Sequence, residues 1–255
     1  MKLLDVEIEE NVKIANDIFL LSFESEYLAE NFKPGNFVNI LIDKESIYPL
    51  LRRPLSISFV EGKRVYIGYK VVGKGTKLLS QKSKGETIDV LGPLGNSFLT
   101  DISDENVAII GGGVGIFPLV GLCKELKNKG NRVDIFLGFR DSNSMFLVEK
   151  FKDICDNTLI STDDGSCGYK GNVVDIFKNN FSKEKYKVVF CCGPKPMLKA
   201  IKNLKLPVKC YASLEEKMAC GIGACLCCSI KGKDDNVYHV CSDGPVFDIM
   251  EVEIE

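Results

Sequence analysis

Histidine is almost missing from this 255-residue chain, with His239 the single example. That leaves little scope for histidine-based acid–base catalysis or for a histidine-rich metal site. Excess charge of either sign is missing as well: Lys and Arg number 33, Asp and Glu 35, and the net charge is −2. With no basic run carrying interleaved aromatics, a nucleic-acid surface is not expected. Nor is there a long apolar run. The longest uncharged stretch, 107–123, is seventeen residues and contains five glycines and Pro118. It lies at the lower edge of the ~17–25 residues that cross a bilayer, and a strand, a glycine turn and a helix explain it better. No membrane insertion is expected.

Cysteine is what the chain has in quantity: eleven, an odd number. No leader is expected, because Met1-Lys2-Leu3-Leu4 runs straight into an alternating stretch around Val6 and Ile8. Free thiols at this density point to a reducing cytoplasm. Four of them stand apart. Cys220, Cys225, Cys228 and Cys241 are spaced C-x4-C-x2-C, then twelve residues, then the last Cys. This is the plant-type ligand pattern for a 2Fe–2S cluster. Gly221 and Gly223 let the loop wrap tightly and aim backbone N–H groups at sulfur, while Ile222, Ala224 and Leu226 keep the wrapping apolar. Structural zinc is the competing use of four cysteines, although zinc modules usually show two separated C-x2-C pairs. Cys227 falls outside the template. Cys123, Cys155, Cys167, Cys191, Cys192 and Cys210 read as small buried hydrophobes. His239, two positions before Cys241, reads as a loop histidine near the cluster.

The chain divides into three regions. Residues 1–100 show short alternating apolar segments, at 6–14, 19–23, 37–42, 55–60, 65–72 and 88–91, separated by turn residues; the pattern predicts a small antiparallel barrel. Over 101–212 apolar strands (107–110, 133–139, 158–161, 188–192, 208–212) alternate with helical segments (118–129, 144–154, 173–180, 196–204). That rhythm predicts a five-stranded parallel α/β domain covered on both faces. Residues 213–255 hold too little apolar material for a core of their own and are expected to fold around a cluster or against the sheet.

Several motifs could take a nucleotide. Arg52-Arg53-Pro54-Leu55-Ser56 opens a barrel strand, where Arg53 could meet a flavin pyrophosphate and Ser56 the flavin ring; a surface Arg-Pro turn reads equally well. The Gly73-Lys74-Gly75-Thr76 run could approach phosphate with backbone N–H groups and the Thr76 hydroxyl, or be an ordinary loop. Gly92-Pro93-Leu94-Gly95-Asn96 reads as a turn. Gly111-Gly112-Gly113-Val114-Gly115-Ile116-Phe117-Pro118 follows a strand and opens a helix, a setting in which Gly111, Gly112, Gly113 and Gly115 could admit a dinucleotide pyrophosphate. The run departs from GxGxxG. After the second strand, Arg140 could meet a 2′-phosphate but Asp141 would repel it, so NADH is the expected nucleotide. Ser213 and Glu216 have capping-box spacing, which predicts a short helix, and Glu215 is open to a role between redox centres.

Taken in order, RRPLS, GKGT, LGPLGN, GGGVGIFP, TDDGS, CCGPKPM and SLEEKMACGIGACLCC resemble the ferredoxin–NADP reductase superfamily. Within it, the last run and Val240-Cys241-Ser242-Asp243-Gly244-Pro245-Val246-Phe247 resemble the electron-transfer subunits of dihydroorotate dehydrogenase B, over essentially the whole chain. The resemblance implies FAD contacts at Arg53, Pro54, Leu55 and Ser56, at Gly68, Tyr69 and Lys70, and at Gly75 and Thr76. It implies ligation of the 2Fe–2S cluster by Cys220, Cys225, Cys228 and Cys241, and use of NAD. It also implies a partner, an FMN-containing dihydroorotate dehydrogenase catalytic subunit of TIM-barrel fold, in a heterotetramer of two of each that serves pyrimidine synthesis. Electrons would reach NAD+ through the cluster and FAD, since flavin alone of these carriers exchanges both single electrons and pairs. The alternative within the superfamily is a flavin/iron–sulfur reductase subunit serving ferredoxin, a hydrogenase or sulfur reduction. A zinc module on a nucleotide-binding scaffold is the alternative outside it.

Overall fold

The computed structural model describes residues 1–43, 48–182 and 184–254, the side chain of residue 234 apart. The first region closes into an antiparallel barrel of β1 (Lys2–Ala15), β2 (Ile18–Glu24), β3 (Phe37–Leu41), β4 (Arg53–Glu61), β5 (Arg64–Lys70) and β6 (Thr87–Leu94), in the order β1-β2-β5-β4-β3-β6. Strand alternation explains the closure. Val65, Ile67 and Tyr69 of β5, Val38 and Ile40 of β3, and Ile88 and Val90 of β6 all point inward. Helix α1 (Glu26–Asn31) starts where the Ser25 hydroxyl accepts from the Leu28 N–H, and α2 (Lys74–Leu79) follows β5 directly. Gly92-Pro93-Leu94 is not a turn but the end of β6, where Gly92 pairs with Lys2 and Leu94 with Phe37.

The second region forms β7 (Asn106–Gly112), β8 (Arg132–Phe139), β9 (Asn157–Thr162), β10 (Tyr169–Lys170), β11 (Val188–Cys192) and β12 (Lys209–Ser213). Their helices are α3 (Phe117–Asn128), α4 (Val148–Ile154), α5 (Val173–Asn180) and α6 (Lys195–Asn203). Alternate residues of one strand serve opposite layers. Val107 and Ile109 of β7 pack with α3 and α4, whereas Ala108 and Ile110 pack with α5 and α6. Helix α4 begins later than its apolar pattern predicts. Asp141 and Ser144 close a short 3-10 turn on each other, and Leu147 at φ 55° interrupts the helical path.

The third region contributes β13 (Ser229–Lys231) and β14 (Val237–His239), a hairpin, and β15 (Val246–Asp248). Strand β15 pairs antiparallel with the edge strand β12, so the sheet has seven strands, in the order β10-β9-β8-β7-β11-β12-β15. The helix predicted at 213–216 does not form. Ser213 ends β12 and pairs with Val246, the Leu214 N–H donates to Pro245, and Glu216 meets Lys195 at 2.5 Å. Ladder pairing outcompetes a cap that would lead into no apolar stripe.

Two junctions bind the regions. The Phe117 ring lies where a Cβ on Gly68 would fall, 1.9 Å from its nearest atom, and the Ser58 hydroxyl donates to the Phe117 carbonyl at 2.7 Å. At the other junction Asn96 clamps the tail. Its Nδ2 donates to Asp243 O (2.8 Å) and Val246 O (2.9 Å), and its Oδ1 accepts from Val246 N (2.9 Å). The Asn96 N–H adds a bond to Gly244 O at 2.6 Å. Truncation by Asn96→Ala removes the side-chain bonds and strands backbone groups. We expect a loss of about 2–4 kcal/mol in denaturant unfolding, with faster proteolysis after 228; a wild-type midpoint would show the clamp to be idle.

Candidate redox site

The cysteine loop is assembled between barrel and sheet. Cys228 and Cys241 are buried in the core cluster that also holds Phe37 and Leu94 of the barrel and Val240, whereas Cys225 and Cys227 are exposed. Gly221 (φ 73°), Gly223 (φ 80°) and Leu226 (φ 58°) adopt left-handed backbone, which costs a leucine about 1–2 kcal/mol. The folding aims N–H groups at sulfur, as the glycines predicted. Ile222 N and Cys225 N donate to Cys220 Sγ at 3.4 Å, Gly223 N to Cys241 Sγ at 3.1 Å, and Cys241 N to Cys228 Sγ at 3.4 Å. Burial would push the Cys220 thiol up, but the N–H groups of Ile222, Cys225 and Ala224 and the Cys225 side chain hold it down to about 6. Burial, with Cys228 beside it, pushes Cys241 up to about 12.

The thiols interact with one another, Cys225 with Cys220, and both Cys228 and Cys220 with Cys241. Among the described residues no three His, Cys, Asp or Glu converge as a single-ion site needs. Four thiols gathered on one loop suit a cluster of two irons, each taking two of the four cysteines. N–H donors aimed at these sulfurs suit the thiolate charge of the liganded state.

On the barrel, β4 and β5 pair only from Ile57↔Ile67 to Glu61↔Arg64. Beyond that, 53–56 pair with β3 and 68–70 with β2, so the wall parts between the two segments from which FAD contacts are expected. The opening could admit a flat ring against backbone. The side chains divide differently from the expectation. Arg52 is committed to the barrel, donating to buried Asp89 Oδ1 at 2.5 Å and to Asn39 O at 3.2 Å. Arg53 instead lies against the start of α2, where a Cβ on Gly75 would fall 2.3 Å from its Nε. A guanidinium beside the first turn of α2 could hold a pyrophosphate. The Thr76 hydroxyl is spent within its own turn, accepting from Val72 N (3.0 Å) and donating to Gly73 O (3.2 Å). Gly68 lies under Phe117, and Tyr69 points into the barrel, donating to Asn11 Oδ1 at 2.8 Å. Of these three, only Lys70 reaches open space.

That space is a cleft of about 1300 Å³ at the C-terminal ends of the parallel strands, where α/β sheets bind ligands. Gly112, Gly113 and Gly115 line it, with Arg140, Asp141 and Asp163 on the far wall and Lys70 on the barrel side. The glycines have separate tasks. Gly113, at φ 52°, has open space where a Cβ would stand, while a Cβ on Gly115 would fall 2.6 Å from the Cys192 carbonyl. Gly111 packs under Ile116 and Leu119, away from the cleft. Gly193, Pro194 and Met197 of the CCGPKPM run complete the floor, and sequence reasoning assigned them no role. Asp141 accepts from the Ser144 N–H, and the Ser142 N–H donates to Ser166 Oγ, tying together the loops after β8 and β9. Glu215 lines the same cleft with its side chain exposed, and the protein around it pushes its carboxyl up.

A barrel with a parted wall, an α/β cleft and a four-thiol loop define a flavin–nicotinamide reductase with an appended iron–sulfur module. Comparison with known proteins agrees. The family described as the iron–sulfur cluster binding domain of dihydroorotate dehydrogenase B matches 215–253, and the oxidoreductase NAD-binding domain matches 109–203. The electron transfer subunit of dihydroorotate dehydrogenase B (NAD(+)) from Fusobacterium nucleatum is 42% identical, covering 100% of both chains. Its Bacillus pumilus counterpart is 40% identical over 100% of this chain and 99% of its own. A structure of an NADH-dependent reduced ferredoxin–NADP oxidoreductase, 35% identical, superposes with TM-score 0.88 over 98% of this chain and 90% of that one. A ferredoxin–NADP+ reductase from Neisseria gonorrhoeae, 15% identical, shares the fold with TM-score 0.68 over 85% and 95%. The chain belongs to the family of dihydroorotate dehydrogenase B electron transfer subunits. Among the described residues no helix is long and apolar enough to cross a membrane.

The two arginines should separate experimentally. Arg53→Ala should weaken FAD retention roughly 10–100-fold, about 1.5–3 kcal/mol, in a flavin-release titration. Arg52→Ala should leave flavin affinity nearly unchanged while costing about 1–3 kcal/mol in unfolding. The reverse pattern would exchange their assignments. For the cleft, Gly113→Val should weaken NADH binding roughly tenfold or more, about 1.4 kcal/mol, with FAD and iron content unchanged. Wild-type NADH affinity in that variant would place the nucleotide elsewhere.

Proposed function

We propose that this chain is the electron-transfer subunit of an NAD-dependent dihydroorotate dehydrogenase in pyrimidine synthesis. It would carry electrons from the FMN of a catalytic partner through the 2Fe–2S cluster and FAD to NAD+. The observation that bears most weight is the thiol loop packed directly on the barrel whose parted wall suits FAD, with the nucleotide cleft bordered by that same barrel at 16–18 and Lys70. When bound, the flavin exchanges electron pairs with nicotinamide and single electrons with iron. The protein's part is to bind, orient and exclude. Arg53 and the start of α2 hold the flavin phosphates, Pro54 to Ser56 and the backbone of 68–70 flank its ring, and Gly75 lets the backbone come close. Gly112, Gly113 and Gly115 admit the dinucleotide at the head of α3, with Gly111 supporting the turn from beneath. Acidic Asp141 and Asp163 on the far wall suit the 2′-hydroxyl of NADH better than a phosphate. Cys220, Cys225, Cys228 and Cys241 ligate the cluster.

The ligand loop exposes Ile222 (48%) and Leu226 (57%) beside Cys225 and Cys227, a small apolar face that suits the catalytic subunit. A heterotetramer of two subunits of each kind, in the cytoplasm, completes the reading. The three modules take 1–100, 101–212 and 213–255. A second reading, a reductase subunit serving ferredoxin, draws on the 35% identical ferredoxin–NADP oxidoreductase. The higher identity to the dihydroorotate dehydrogenase subunits, over both full chains, favours the first.

Anaerobic co-expression with the FMN subunit tests both readings. A co-purifying complex with FAD, iron and sulfide that reduces NAD+ with dihydroorotate is the expected outcome. A loaded chain that ignores this partner but exchanges electrons with ferredoxin would establish the second reading. Zinc without iron or sulfide would end both.

A further inference from the structure

We infer that Asn39 is a positioning residue that fixes the cluster loop against the flavin-carrying strand, and so governs electron exchange between the two groups. The inference rests on the function proposed above. Asn39 is 0% exposed on β3, a polar side chain between the inward-facing Val38 and Ile40 of the barrel core. Its amide crosses to the loop. Nδ2 donates to Ala219 O at 3.4 Å and to Cys220 O at 3.3 Å, across 180 residues of sequence. The loop is pressed onto that amide: Gly221 has φ 73°, and a Cβ there would fall 2.7 Å from Nδ2. Nothing larger than glycine fits above it.

On its other side Asn39 stands in the flavin wall. It pairs with Pro54 in the β3–β4 ladder, between the Val38↔Leu55 and Ile40↔Arg53 pairs. Its carbonyl accepts from Arg52 Nη1 at 3.2 Å, and that guanidinium is anchored on Asp89. One residue thus touches the strand expected to carry flavin and the backbone of the first ligand cysteine. Packing does not account for it. Its Oδ1 is buried without a hydrogen-bond partner among the described residues, a cost that an apolar residue beside Val38 and Ile40 would avoid. The amide therefore serves its donor end, which holds the carbonyl of Cys220. The sulfur of that residue takes N–H bonds from Ile222 and Cys225, so a shift at Cys220 displaces the loop around it. Groups that orient metal ligands from behind typically change affinity or activity by about 10–100-fold when removed.

The test uses Asn39→Leu, which keeps the barrel packed, and Asn39→Ser, which guards against a leucine that does not fit. Flavin- and cluster-loaded protein is mixed rapidly with NADH without oxygen. Flavin bleaching is followed by absorbance, and cluster reduction by freeze-quench paramagnetic resonance. The step read is one electron from reduced FAD converting one ferric ion to ferrous, the flavin proton leaving to solvent. We expect the NADH-to-flavin step unchanged, the flavin-to-cluster step slowed about 10–100-fold at an unchanged iron-to-flavin ratio, and a shifted resonance of the reduced cluster. Wild-type rate and spectrum in both variants would overturn the inference. So would loss of iron with a normal rate in the molecules that keep it, since that marks a purely structural tie. A wild-type protein without FAD or iron would instead defeat the functional reading beneath it.

Discussion

Residues 243–248 are held from two sides, and the arrangement of the redox groups depends on that grip. Strand β15 hydrogen-bonds to the sheet edge at β12, while Asn96 at the end of the barrel takes the same segment in its side-chain amide. The cysteine loop leaves from the end of β12 and returns just before β15, so both its ends are tied to one edge. A segment with little apolar material of its own thereby acquires a defined position, borrowing the core of the sheet and the wall of the barrel.

The second junction does the same for the nucleotide cleft. Phe117, at the head of α3, covers Gly68 of the barrel, and the glycine turn immediately before it forms the rim of the cleft. Asn16, Asp17, Ile18 and Lys70 of the barrel complete that rim. The barrel thus contributes both to the cleft and to the core under the thiol loop, which fits the electron-number requirement for flavin between pair and single-electron carriers.

Much of the framework was legible because its signals are local. Alternating apolar residues marked the barrel strands and short apolar runs marked the parallel strands, each within a few residues of its observed limits. Spacing singled out Cys220, Cys225, Cys228 and Cys241, and backbone N–H groups of the same loop are aimed at three of their sulfurs. Two of the misses share one cause. Gly92-Pro93-Leu94 has turn composition but finds ladder partners in Lys2 and Phe37, and Ser213 has a cap's spacing but is taken up by β15.

The class of each module could be read from neighbouring residues alone, because strand alternation, the strand–turn–helix rhythm and thiol spacing are local properties. Which polar side chains work across modules emerges only in the folded chain. Arg52 and Arg53 are adjacent and chemically identical, yet one is spent on Asp89 and the other faces Gly75. Asn39 and Asn96 are asparagines in unremarkable contexts until chain 150 or more residues away returns to meet them. Hydrogen bonds between distant segments leave no periodic trace, since their geometry comes into being only when the modules dock.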